Sequence, residues 1–183
     1  MTEQTPAPPN PYDFLPQVPT FTVTSNDIAD GETLPTPHLS GKMGAGGEDR
    51  SPHLRWEGFP AETKSFAVTC FDPDAPTGSG FWHWVVFDIP ASVTSLPTGA
   101  GSGDQSGLPQ GAITARNDAG GLSYIGAAPP PGDPAHRYVF TVYAVDTEKL
   151  GIDNSASPAF VGFNLRFHAI ARANIIAEFA YNG

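Results

Sequence analysis

A mainly β protein of stacked antiparallel sheets is the architecture this sequence predicts, and three observations carry that expectation. Apolar runs rich in aromatic and β-branched residues recur along the chain, as strands covered on both faces require. Gly and Pro supply 20 residues each of 183, a density that divides a chain into short segments joined by turns. Helical periodicity is confined to the last quarter.

The elements follow in order. The opening MTEQTPAPPNPYDFLPQVPT has no basic n-region and no apolar h-region, so it does not read as a secretory signal. Residues 1–11 form a Pro-rich arm that wraps the domain or frays, ahead of one domain over residues 12–183. Phe21–Ser25 (FTVTS) alternates apolar and hydroxyl side chains, as a half-buried strand does. SFAVTCF (65–71), FWHWVVFDI (81–89) and HRYVFTVYAVD (136–146) are nearly continuous apolar runs and are expected as central strands. The segments DPDAPTGSG, PTGAGSGDQSGLPQG and GAAPPPGDPA between them are loops. Ser157-Pro158 is an N-cap with proline at the first helical position. From there the chain is expected to stay helical to about residue 180, interrupted at Gly162 and Asn164. No internal repeat is visible.

Composition excludes several classes of function. With 9 Lys+Arg against 19 Asp+Glu, the formal charge is −10, which works against binding to DNA, RNA or an anionic membrane. No apolar run approaches the roughly 20 residues that span a bilayer, so no stable membrane insertion is expected. A soluble, cytoplasmic protein is the default. The single cysteine, Cys70, rules out an intramolecular disulfide and any multi-cysteine metal site, and inside an apolar strand it reads as an inert buried thiol. There is no GxSxG elbow, no HExxH and no His-x-His pair, so no metal and no cofactor is expected. His38 and His53 lie in Pro-flanked loops and read as solvated. His168 reads as packing or capping in the terminal helix.

Two stretches combine rigid loops with chemically competent residues. In Asp72-Pro73-Asp74-Ala75-Pro76, a carboxylate ends one strand in a loop stiffened by two prolines, and the chain re-enters a strand at Phe81-Trp82-His83-Trp84. Alternation puts Trp82 and Trp84 on the face opposite His83, which then faces with Val85 and Phe87. The plainer reading makes Asp72 and Asp74 turn caps through Asx hydrogen bonds and His83 a satisfied core histidine. In the second stretch, the loop Gly126–Gly132 delivers the chain to His136-Arg137-Tyr138, where His136 and Tyr138 share one face and Arg137 takes the other. Such a loop is either an anion-binding nest or a plain turn, and Tyr138 either reaches a site or packs in the core.

Read together, DPDAP (72–76), WHW (82–84) and GAAPPPGDPAHRY (126–138) resemble the phosphatidylethanolamine-binding protein family, in its prokaryotic Raf-kinase-inhibitor-like branch. SPHLRW (51–56) and the terminal GFNL…HAIARA segment support the likeness, which runs from about Phe21 onward. The resemblance implies a Greek-key β-sandwich with a large central sheet, a smaller sheet, a few peripheral helices and a C-terminal helix. It implies a small pocket for phosphate-type anions or phospholipid head groups, lined by Asp72, His83, Gly126, Ala127, Pro129, His136 and Tyr138. Asp74, Pro76, Trp82 and Trp84 would form its wall. In such a site the Asp72 carboxylate either orients the His83 ring and favours its protonated form or accepts from an amine or hydroxyl of the ligand, and both stay open. The likeness also makes a cis bond at Ala75–Pro76 the expectation and allows a homodimer. Trp82 stands where eukaryotic relatives carry a further histidine, and Gly-Ala-Ala-Pro-Pro replaces their Gly-Ser/Pro-Gly-Pro loop, so the ligand's identity is open. The expected function is non-catalytic binding, with a protein partner such as a kinase left open. The alternatives are an enzyme using Asp72, His83, His136 and Tyr138 for acid–base chemistry, or a protease-inhibitor-like surface protein.

Overall fold

The computed structural model describes residues 6–182; Met1–Thr5 of the Pro-rich arm and Gly183 lie outside the described residues. Eight strands follow in order: β1 (Thr22–Thr24), β2 (Leu54–Glu57), β3 (Ser65–Asp72), β4 (Phe81–Pro90), β5 (Ser95–Leu96), β6 (Ile113–Thr114), β7 (His136–Val145) and β8 (Ala169–Phe179). One α-helix, α1 (Pro158–His168), precedes β8. The strands form a small sheet ordered β1-β2-β5 and a large one ordered β6-β4-β3-β7-β8, antiparallel throughout. This is the expected mainly β sandwich with its helix near the C-terminus.

Alternation along the central strands builds two cores. Phe66, Val68 and Cys70 of β3, with Tyr138, Phe140 and Val142 of β7, pack between the sheets against Leu54, Trp56 and Leu96. The alternate residues Ala67, Phe71, Val139 and Tyr143 face outward, where Tyr12, Leu150, Val161 and Leu165 cover them. A central sheet buried on both faces explains why its strands read as unbroken apolar runs. The Arg172 guanidinium holds the N-terminal segment on this outer face by donating to Tyr12 O at 2.9 Å and Pro16 O at 3.1 Å.

The last quarter differs from the sequence expectation. Ser157 Oγ caps α1 by accepting from Phe160 N at 3.1 Å, as foreseen, but the helix runs through Gly162 and Asn164 and ends at His168. The chain then extends, and Ala171, Ala173, Ile175 and Ala177 alternate inward as β8 pairs with the whole length of β7. Without β8, a hydrophobic edge of β7 would stand unpaired. All described peptide bonds are trans, Ala75–Pro76 included. The reversal from β3 to β4 is instead made by an Asx turn at Asp72 and by Gly80 at φ +68°. No helix among the described residues is long and apolar enough to cross a membrane.

Candidate functional site

The site begins where β3, β4 and β7 end side by side. Asp72, the last residue of β3, accepts from Asp74 N through Oδ1 and from His136 Nδ1 through Oδ2, each at 2.8 Å. The two side chains of the Asp72–His136 pair are only 4% and 3% exposed. His136 Nε2 points at Asp133 Oδ2, 3.1 Å away, so both ring nitrogens face carboxylates. Burial opposes charge on this ring, but the Asp72 bond, reinforced by Asp133, outweighs it and holds the pKa above the ordinary histidine value. His136 is therefore the imidazolium of the site. On the reverse face, Arg137 grips Asp74 with Nε and Nη2 at 2.9 and 2.8 Å. Burial again opposes charge on Asp74, yet Arg137 keeps the carboxyl below its usual range.

His83 is placed by a β-bulge that strict alternation does not foresee. Cys70 pairs with Trp84 and Phe71 with Trp82, which leaves His83 as the extra residue on β4. Trp82 therefore packs on Phe71 at 4.3 Å on the outer face, while Trp84 enters the inter-sheet core. His83 turns to the inner side, its ring 5.3 Å from that of Tyr138, whereas Val85 and Phe87 belong to the outer core. The parity expectation for His83 fails because the bulge adds one residue to the count. Asp72 does not orient this ring either. His83 Nδ1 bonds to Ile125 O at 2.8 Å, and Ile125 N returns a bond to His83 O at 3.0 Å. Burial is the dominant influence on His83 and pulls its pKa below the ordinary value despite Ile125 and Asp72. At neutral pH it is uncharged, with Nδ1–H donated to the carbonyl and Nε2 left as an acceptor.

These groups surround a cavity of about 210 Å³ whose walls include Asp72, Pro76, His83, Gly126, Pro129, His136 and Tyr138. Four residues expected at or around it do not line it. Ala127 is fully buried and bridges to Leu39, leaving Ala128 to face the cavity. Asp74 is turned to Arg137, and Trp82 and Trp84 are drawn into the two cores. The loop is also a poorer nest than its glycines imply. Gly126 N donates to Asp49 Oδ1 at 2.8 Å, Gly132 N donates to Tyr181 O, and Pro129–Pro131 have no N–H. Gly126 is needed for close approach: a Cβ there would lie 2.2 Å from the carbonyl carbon of Leu39.

Sequence reading missed Asp133 and Asp49, which hold His136 and Gly126, and Ser40, which stands in the cavity wall. Asp133 was visible only as a carboxylate three residues before His136 in a loop, a spacing without a periodic meaning. His38, expected to be solvated, is 3% exposed and bonds through Nδ1 to Arg50 O at 2.7 Å, because residues 36–50 fold under the Gly126 loop. His168 pairs with Asp146 at the surface, away from the cavity. Cys70 is buried, and burial pushes its thiol pKa up. Among the described residues, no group of three or more His, Cys, Asp or Glu side chains is placed to hold a metal.

Comparison with known proteins decides the family. The phosphatidylethanolamine-binding protein family matches residues 24–180, which contain every residue of this cavity. The chain belongs to that family. It is 53% identical to the UPF0098 protein YbhB of Escherichia coli K12 over 156 residues, covering 85% of this chain and 98% of that one. It is 51% identical over 162 residues to the UPF0098 protein YbcL of the same organism, covering 88% of each. The crystal structure of E. coli YbcL, described as a new member of the mammalian PEBP family, superposes with a TM-score of 0.85 over 87% of this chain and 98% of that one. The sequence resemblance to the family and its sandwich fold therefore stand.

Proposed function

We propose that this PEBP-family chain is a non-catalytic binding protein whose β3/β4/β7 cavity takes a phosphate-type anion, free or as a phospholipid head group. The observation that carries the reading is a small cavity in which His83 Nε2 and the Tyr138 hydroxyl make no bond to any described residue, beside the charged His136. Binding rather than turnover is favoured by His136, whose two nitrogens are both held by carboxylates and so are not free to relay a proton. A phosphate monoanion matches the free groups: its P–OH donates to neutral His83 Nε2, and an oxygen accepts from Tyr138. Sulfate carries no proton near neutrality, so it is accepted only once His83 is protonated.

Calorimetric titration of phosphate and sulfate across about pH 5 to 8 tests this. Phosphate binds at neutral pH, and sulfate binds only as pH falls through the depressed His83 value, below about 6.5. His83→Ala removes that partner and weakens phosphate by about 1.5–3 kcal/mol if the bond is charge-assisted. Short-chain phospholipid and free phosphate, titrated in parallel, separate the two ligand sources. Equal affinity of wild type and His83→Ala at every pH would remove His83 from the site.

A further inference from the structure

A second cavity, of about 360 Å³, lies on the outer face of the large sheet. It is larger than the family site and falls within the usual range of ligand pockets, about 300–1,000 Å³. Phe71, Trp82 and Tyr143 line it from the sheet, Leu15 and Val18 from the N-terminal segment, and Leu165 from α1. Phe71 and Asp72 are consecutive residues of β3, so alternation sends one to this cavity and the other to the family site.

Two features distinguish this cavity from a packing gap. Arg166 and Arg172 stand in its wall, and neither is within ion-pair distance of a carboxylate among the described residues. Arg172 donates only to the carbonyls of Tyr12 and Pro16, which leave its charge uncompensated. The chain has 9 Lys and Arg in all against 19 acidic residues, so two unpaired guanidinium groups at one apolar cavity are a conspicuous concentration. The second feature is Gly162, inside α1 and in the cavity wall. A Cβ added there meets no heavy atom within 4 Å, so no neighbour requires a glycine. Glycine weakens a helix interior, and here its missing side chain leaves the helical wall open.

We propose that this cavity is a second binding site, for a small amphipathic anion with an aliphatic or aromatic body and one carboxylate or sulfonate. The body covers the Phe71, Trp82 and Tyr143 surface and displaces its water. The acid group meets Arg166 and Arg172, whose planar guanidinium forks match a carboxylate. Charge complementarity selects the acid over a neutral molecule of the same shape. The site is independent of the phosphate-type cavity and occupies the opposite side of the sheet.

The test is fluorescence titration of the full chain with anilinonaphthalenesulfonate, followed by displacement with decanoate and with decanol. One probe binds per chain, decanoate displaces it, and decanol does so about tenfold less well, as the loss of a charge-assisted bond requires. Arg166→Glu, a change at an exposed position, weakens the probe by about tenfold or more. Gly162→Leu fills the opening and abolishes binding while the melting temperature holds or rises, which separates a blocked site from an unfolded one. Saturating phosphate leaves the probe in place. Unchanged binding in Arg166→Glu, decanol equal to decanoate, displacement by phosphate, or no probe binding to the native chain each overturns the proposal.

Discussion

Asp72→Asn isolates the charge at the centre of the β3/β4/β7 cavity with almost no change of shape. The native carboxylate accepts twice, from Asp74 N and from His136 Nδ1. Asparagine has one carbonyl oxygen. If it serves Asp74 N, its amide faces Nδ1, which must then give up its proton, and the imidazolium is lost. A bond to a charged group is worth about 1.5–3 kcal/mol and a neutral one about 0.5–1.5, so the exchange costs about 1–2 kcal/mol. Both side chains are almost wholly buried, so solvent screening does not reduce this figure much. The pH dependence has a definite sign. The His136 pKa is raised on folding, so its contribution is whole below the unfolded value of about 6.5 and fades as pH climbs through the folded one. Urea denaturation of both proteins at about pH 6 and about pH 9 therefore shows the larger loss at the lower pH. The C2 proton of His136, followed by NMR, titrates at lower pH in the variant. A stability difference that is flat or grows with pH would refute the assignment of His136 as the buried imidazolium.

Two further substitutions probe the same region. Asp133→Asn frees the His136 Nε2 edge of a competing carboxylate whose side chain is 36% exposed, so phosphate affinity rises by about 1 kcal/mol, and calorimetry showing weaker binding would contradict the geometry. Gly126→Ala sets a Cβ against the backbone of Leu39 and Ser40 and lowers stability by about 3 kcal/mol; a melting temperature equal to wild type would show that the loop yields freely.

The long strands were legible because burial on both faces wrote them as apolar runs: β3, β4 and β7 begin at the residues the sequence indicates, Ser65, Phe81 and His136. The bulge at His83 was not legible, because it is a mismatch of register between β3 and β4 and leaves no local signature in either. β8 was hidden for another reason. Its alanines and isoleucines fit a broad helical face as well as they fit alternation, and only the open edge of β7 decides between them. The convergence of Asp72, His83, His136 and Tyr138 followed from two stiff loops that each feed a central strand. Asp133 and Asp49 escaped notice because single loop carboxylates reveal their partners only in three dimensions.

The Asp72–His136 bond joins residues 64 positions apart and belongs to the β3–β7 pairing, not to either hairpin neighbour. Closing a chain segment of that length is costly in entropy and is rewarded only when the whole ladder forms, so it is among the slow steps in folding. The chain emerging from a ribosome can complete the β3–β4 hairpin, with His83 already in its bulge, and still have no pocket. The cavity is completed in one step, with the docking of β7, and an anion bound there as proposed would capture the finished sheet and slow its reopening.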